Sequence, residues 1–263
     1  MRHNSWMENS AALVEAYARH NAGVLGTLRQ RLLARALAIH LPPWPQRVVD
    51  VGGGEGHQAI GLARAGHHVV LLDPDPAMLA AAGRRLREET PEVRGRVELV
   101  RGYGEDASAL VGPAAFDLVC CHGILMYLRE PETLLRALTG LVAPGGLLSV
   151  LAVNADAIAM RAALEGRWAD ARTALETGTD GGGRNLAHRA DTVEEIQALL
   201  TSAGMSVLDW YGLRAFSDHL GDTEPGPDFE ELCELEWAAG TRDPYRRIAR
   251  LFHVVARRPA AVS

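Results

Sequence analysis

The run Val48-Val49-Asp50-Val51-Gly52-Gly53-Gly54-Glu55-Gly56-His57 constrains this chain more than any other stretch, together with Val69-Val70-Leu71-Leu72-Asp73 downstream. Val48 to Val51 is β-branched except for Asp50 and reads as a strand. Three successive glycines then let the backbone turn sharply and approach a ligand closely. The helix expected at Gln58 to Arg64 opens its unpaired N–H groups onto the same spot. Asp73 follows the glycines by about 20 residues, where a carboxylate ending the second strand can accept both hydroxyls of a ribose. The pattern is a site for a nucleoside-bearing cofactor.

Two helical stretches precede the turn, about Asn9 to His20 and Gly26 to Ile39, the second with Leu28, Leu32, Leu33 and Leu37 near helical spacing. Pro42-Pro43-Trp44-Pro45 stops that helix. Beyond Asp73 we expect a helix at Pro76 to Arg87, strands at Val97 to Val100, Phe116 to Cys121 and Leu147 to Val153, and a helix at Pro131 to Val142. Residues 154–190 break the rhythm with a helical part and the loose Thr179-Asp180-Gly181-Gly182-Gly183-Arg184, which reads as an inserted cap. A helix near Thr192 to Ala203, a strand at Val207 to Leu213, a helix at Phe229 to Ala238 and a strand at Ala249 to Ala256 close the chain. Alternating strands and helices imply an α/β, doubly wound, mostly parallel sheet of seven strands, with an antiparallel edge strand and ligands beyond the carboxyl ends of the strands.

Charge separates the possible cofactors. A dinucleotide fingerprint can be laid over Gly54, Gly56 and Ala59, since a pyrophosphate wants bare N–H groups at a helix N-terminus. Asp50 and Glu55, however, put carboxylates in the strand and the turn, where they repel a pyrophosphate and suit a ligand carrying an ammonium and a sulfonium. S-adenosyl-L-methionine carries both. An acidic residue, a glycine-rich turn and an acidic end to the next strand together resemble the class I methyltransferase motif, whose fold is Rossmann-like.

A chain of 263 residues with 48% hydrophobic side chains can bury a full core, and one domain over 1–263 fits, with N-terminal helices within 1–45 and the cap at 154–190. No apolar run has the length of a signal peptide or a membrane span, so a cytoplasmic protein without membrane contact is expected. Cys120, Cys121 and Cys233 lack disulfide or zinc spacing, the first two pointing to opposite faces of a strand, and no metal is expected. The net charge of −6 disfavours nonspecific nucleic-acid binding, although a local basic face can still hold an RNA.

Arg101-Gly102-Tyr103-Gly104-Glu105-Asp106 follows the third strand and offers Glu105 or Asp106 to an adenine amino group; the alternative is an acidic turn capping the short helix near Ala107. His122 follows the fourth strand. Three roles are open to it: bonding the cofactor, acting as general base for a hydroxyl or amine acceptor, or ending the strand. His67 and His68 read as solvated residues before the second strand. Among the arginines, Arg214 in Gly212-Leu213-Arg214-Ala215-Phe216-Ser217-Asp218 ends a strand at the rim, where a guanidinium can grip a carboxylate or phosphate.

Several segments are similar to the bacterial tRNA 5-carboxymethoxyuridine methyltransferase (SmtA-like) family: Gly26-Thr27-Leu28-Arg29-Gln30, Asp50 to Gly56, Asp73, Cys121-His122-Gly123-Ile124-Leu125, Pro144-Gly145-Gly146, Val153-Asn154-Ala155, Gly212 to Phe216, and the tail from Glu234-Leu235-Glu236 through Asp243-Pro244-Tyr245 to Phe252-His253-Val254. The resemblance implies that Arg29 contacts the cofactor's carboxylate, Gly52 and Gly53 its methionyl part, Asp73 its ribose, and His122 the neighbourhood of the methyl group. It also implies methyl esterification of a modified wobble uridine in tRNA. The family carries a run of lysines in the cap. Here that stretch is Thr179 to Arg189, with three glycines, so phosphate contacts fall to Arg161, Arg167, Arg172, Arg184 and Arg189. A small-molecule carboxylate or hydroxyl acceptor is the alternative partner.

Overall fold

The computed structural model describes residues 10–180, 188–221 and 223–260. In chain order, α1 (Ser10–Ala22) and α2 (Val24–His40) precede β1 (Arg47–Val51), α3 (His57–Arg64), β2 (His68–Asp73), α4 (Pro76–Arg87), α5 (Pro91–Arg94) and β3 (Val97–Arg101). Then come α6 (Ala107–Val111), β4 (Phe116–His122), α7 (Pro131–Thr139), β5 (Val142–Val153), α8 (Met160–Leu164) and α9 (Trp168–Thr177). The two-residue strands β6 (Thr179–Asp180) and β7 (His188–Arg189) form a small hairpin, followed by α10 (Val193–Ser202), β8 (Ser206–Leu213), α11 (Phe229–Gly240) and β9 (Leu251–Arg257).

Seven strands make one sheet in the order β3-β2-β1-β4-β5-β9-β8. The first five pair in parallel, and β9 runs antiparallel between β5 and the edge strand β8. The strand order reverses between β1 and β4, so the carboxyl ends of these two strands flank the crevice where ligands of open α/β sheets bind.

Side chains alternate across the sheet, as period-two strands require. Cys120 packs with α2, α3 and α11 on one face, while Cys121 packs with α7 and α10 on the other. The helices begin where their sequences supply partners for unpaired N–H groups. Asp75 accepts the Ala77 N–H ahead of Pro76, and Thr192 with Glu195 forms a capping box. The helix expected to reach Val142 ends at Thr139, because Gly140 caps it and Val142 already pairs with Phe116 as the start of β5. His67 is buried rather than solvated: its Nδ1 accepts the Gln46 N–H at 3.1 Å, joining the ends of β1 and β2.

No described helix is long and apolar enough to cross a membrane. Among the described residues, no cluster of His, Cys, Asp or Glu could hold a metal ion.

Candidate cofactor and acceptor site

The turn after β1 is built from left-handed glycines. Gly52, Gly54 and Gly56 have φ of +67°, +55° and +84°, conformations that side-chain-bearing residues rarely adopt. Space is the second constraint: a Cβ on Gly52 would lie 2.5 Å from Ile124, and one on Gly53 would lie 2.9 Å from Asp50 Oδ2. Asp73 braces the turn from β2. Its Oδ2 accepts the Gly54 N–H and its Oδ1 the Asp75 N–H, both at 2.9 Å, leaving lone pairs on each oxygen for further donors.

Two carboxyl groups beside the turn are held in unusual states. Burial and the neighbouring Asp73 push Asp50 up to about 7, against the opposing influence of Arg29 and a hydrogen bond from the Ala59 backbone. Among the described residues, Asp50 Oδ2 has no hydrogen-bond partner. Burial also raises Asp73, to about 6, although two backbone N–H groups hold it back. A cation placed here would favour both carboxylates in their charged form.

Glu55 does not share this environment. Its carboxylate accepts from Asn21 at 2.8 Å, lies 3.2 Å from His57 Nε2 and 3.9 Å from Arg85. Burial alone would raise its pKa, but the hydrogen bonds from His57 and Asn21 outweigh that and leave it lowered. The charge expected to repel a pyrophosphate is therefore met by protein partners, and the electrostatic argument for a cationic ligand rests on Asp50. Asn21 also accepts from Arg29 at 2.6 Å, so a line Glu55–Asn21–Arg29 ties α1 and α2 to the glycine turn. A hydrogen bond between the Tyr17 and Tyr127 hydroxyls ties α1 to the segment after β4.

Val51 is paired with Cys121, which sets His122 level with Gly52 across the sheet. His122 Nε2 lies 2.7 Å from Ser149 Oγ on β5. Burial, then the charge of Arg29, brings the imidazole down to about 3. Arg29 itself is lowered to about 10 by burial and by the charge of Arg214, with Tyr17, Tyr127 and Asp50 acting in the opposite sense. Thus Arg29, Asp50, Gly52, Gly53, Gly54, Asp73 and His122 lie together at one end of the sheet.

Glu105 and Asp106 are exposed, in a single turn of 3-10 helix after β3. Asp106 makes no side-chain cap to α6. Gly104 brings this turn against the sheet: a Cβ there would lie 2.8 Å from Val51 and 2.5 Å from Leu134.

Arg214 is buried rather than presented on the surface, and its φ is +64°. Its Nε donates to Asp218 Oδ1 at 2.9 Å, and Arg250 approaches the other oxygen of Asp218 at 3.8 Å. Burial lowers the Arg214 pKa, the Asp218 carboxylate opposes this, and Arg250 and Arg161 add to the lowering. The strained position is held by Glu236. From the buried side of α11 its carboxylate accepts the N–H groups of Ala215, Phe216 and Ser217 at 2.7, 3.0 and 2.8 Å. A crevice beside these groups is lined by Arg161, Arg214, Arg250, Met160, Phe216 and Ile248.

Sequence reasoning missed Asn21, Ser149, His253, Asp218 and Glu236. Asn21, Ser149, His253 and Glu236 act through partners on other elements, so no local spacing marks them; Asp218 lies only four residues from its partner Arg214, a spacing that could have found it. The cap arginines are each engaged: Arg161 and Arg167 with Glu165, Arg167 also with Asp170, Arg172 near Glu176, and Arg189 with Asp191. Arg184 lies outside the described residues.

Residues 49–148 match the family described as a methyltransferase domain. Across nearly the whole chain, the protein is similar to tRNA 5-carboxymethoxyuridine methyltransferase of Escherichia coli (strain K12), 30% identical over 256 residues covering 94% of this chain and 95% of that one. A ubiquinone biosynthesis O-methyltransferase of Xanthomonas euvesicatoria pv. vesicatoria is 32% identical over 169 residues, covering 64% and 65% of the two chains. Magnesium protoporphyrin IX methyltransferase of Synechocystis PCC 6803, solved with bound SAH, superposes with a TM-score of 0.64 at 14% identity, covering 96% of each chain. A [4+2]-cyclase shares the fold at a TM-score of 0.59 and 21% identity, covering 88% of this chain and 81% of that one, so the fold alone does not fix the reaction.

The residues present fit S-adenosylmethionine: an unpartnered buried carboxylate oxygen on Asp50 suits a cationic ligand, and the Asp73 oxygens retain acceptor capacity for a ribose. The cofactor is S-adenosylmethionine, and the chain belongs to the class I methyltransferases, in the family of the tRNA 5-carboxymethoxyuridine methyltransferase.

Proposed function

We propose that this enzyme methylates a carboxylate, and that its acceptor is 5-carboxymethoxyuridine at the wobble position of a tRNA, converted to the methyl ester. The observation that carries the reading is the state of His122. A hydroxyl acceptor needs a base, and an imidazole held at about 3 with Nε2 engaged by Ser149 is a poor one. A carboxylate arrives already ionised and needs none. The relative that matches over nearly the whole chain is named for an acceptor of that kind.

When bound, the cofactor supplies a methyl group on a sulfonium that departs as a neutral thioether. Asp73 takes the ribose, Arg29 the methionyl carboxylate, Asp50 the charge of the ammonium, Gly52, Gly53 and Gly54 the close approach, and Glu105 or Asp106 the adenine amine. His122 orients the reacting end. Helices α8 and α9 form the described part of the cap over the acceptor, and Arg214 with Arg161 and Arg250 offers positive charge beside the aromatic face of Phe216. Catalysis then consists of alignment and exclusion of water.

A small-molecule carboxylate is the second reading, favoured by the ion pairs that occupy the cap arginines Arg161, Arg167 and Arg189. Mass spectrometry of wobble nucleosides from a strain lacking the gene separates the two. Loss of the methyl ester with accumulation of the free acid is expected; unchanged nucleosides overturn the tRNA assignment.

A further inference from the structure

A row of polar groups crosses the sheet behind His122. Ser149 Oγ lies 2.7 Å from His122 Nε2 on one side and 2.7 Å from His253 Nε2 on the other. Ser149 and His253 are completely buried. The two imidazoles meet edge to face with centroids 5.6 Å apart, and neither Nδ1 has a hydrogen-bond partner among the described residues. Sequence alternation brings the three to one face: Ser149 and Leu151 share a side of β5, and Leu151 pairs with both His122 and His253.

A serine hydroxyl has a single proton. If Ser149 accepted from both ring nitrogens, its own hydroxyl proton would be an orphaned buried donor; it therefore donates to one and accepts from the other, leaving one Nε2 bare and the other protonated. Burial keeps both rings neutral, since it depresses the basicity of each. A neutral imidazole carries one ring proton, and the two histidines therefore hold opposite tautomers. If His122 carries its proton on Nε2, the Nδ1–H of His253 is a donor sealed in the interior without an acceptor. If His253 carries its proton on Nε2, the interior orphan is only a lone pair. The spare N–H then belongs to His122. Its Nδ1 is likewise buried and without a partner among the described residues, but the residue as a whole is only half-buried and stands at the carboxyl end of β4, where a bound ligand can accept it. Orphaned buried donors are the rarer of the two.

We propose that Ser149 and His253 are positioning residues that lock His122 in its Nδ1–H tautomer, making it a neutral hydrogen-bond donor to an anionic oxygen at the reacting end of the site. This rests on the reading of His122 as part of the methyl-transfer site. The charge of Arg29 also acts on His122. With Nδ1 already protonated and Nε2 bonded to Ser149, the ring has no vacant nitrogen to take a proton from a hydroxyl.

The test is the tautomer itself, read by long-range 15N–1H correlation on the full chain with labelled histidine, alone and with S-adenosylhomocysteine. The unaltered protein is expected to show His122 protonated on Nδ1 and His253 on Nε2. Ser149→Ala is expected to give both tautomers of His122 and to lower kcat for methyl transfer to tRNA bearing 5-carboxymethoxyuridine about tenfold, roughly one hydrogen bond to a charged group, with KM for the cofactor within about twofold. His253→Gln, whose amide can still donate to Ser149, is expected to keep the Nδ1–H form. A protonated Nε2 on His122 in the unaltered protein overturns the proposal, as does a Ser149→Ala enzyme with unchanged tautomers and kcat. The unaltered spectrum needs no variant, so it decides even if alanine at 149 prevents folding. It needs no acceptor either, so an unaltered enzyme that transfers nothing to this tRNA contradicts the carboxymethoxyuridine reading separately.

Discussion

The Asp73 carboxylate accepts the Gly54 N–H at 2.9 Å, so the end of β2 holds the turn that follows β1 in shape. One residue thereby braces the glycines and keeps lone pairs on both oxygens for the ribose proposed to sit there. Asp73→Ala is expected to weaken S-adenosylhomocysteine by about 3 kcal/mol, roughly a hundredfold in Kd. Asp73→Asn, which retains one acceptor oxygen, should fall between. Titration calorimetry reads both; an alanine variant within about threefold of the unaltered protein contradicts the assignment.

The buried carboxyls make ligand-free stability and cofactor affinity respond to pH in opposite directions. Asp50 is raised to about 7 and Asp73 to about 6. An unfolded Asp titrates near 4, at about 3.9. Between those values the folded protein binds more protons than the unfolded chain, so stability is lost as pH rises through the window. Cofactor affinity should instead rise as pH climbs through about 7, because a cation favours ionised Asp50. Melting temperatures of ligand-free Asp50→Asn across about pH 5 to 9, roughly two units either side of Asp50, should be flatter than those of the unaltered protein.

Glu236 anchors three consecutive N–H groups behind Arg214. Glu236→Ala leaves those donors unsatisfied and is expected to cost about 3 kcal/mol or more in urea unfolding. Glu236→Gln keeps an acceptor oxygen and should cost less. Equal stability in both variants would show that the loop does not depend on this carboxylate.

Phe216 is 39% exposed and meets Tyr245 edge to face at a centroid distance of 5.7 Å. If a uridine base stacks here, Phe216→Ala should raise KM for the acceptor tRNA about tenfold, from about 1–3 kcal/mol of base stacking. Kd for S-adenosylhomocysteine should be unchanged. Initial-rate kinetics at saturating cofactor provides the comparison.

What could be read from the amino acids follows the range of the interactions. Asp50, the glycines and Asp73 were legible because strand, turn and acidic end are local patterns, and the parallel pairing of β1 with β2 brings them together. The seven strands were legible from their apolar runs, while their exact ends depended on partners such as the Phe116 and Val142 pair. Glu55 was misjudged because its partner Asn21 lies on α1, brought to the turn only by tertiary packing. Glu236 sits in an acidic, amphipathic-looking helix where a carboxylate normally faces water. Nothing local reveals that it is buried on the backbone of another loop. Ser149 meets His253 diagonally across antiparallel strands far apart in sequence, a contact that only the sheet order creates.

The most direct test of the account is transfer of a labelled methyl group from S-adenosylmethionine to tRNA bearing 5-carboxymethoxyuridine, followed by mild alkali. A methyl ester is cleaved under these conditions, whereas a methyl ether or methylamine is not. Label on the tRNA that alkali releases as methanol is expected. Alkali-stable label, or no transfer by a protein that binds S-adenosylhomocysteine, would contradict it.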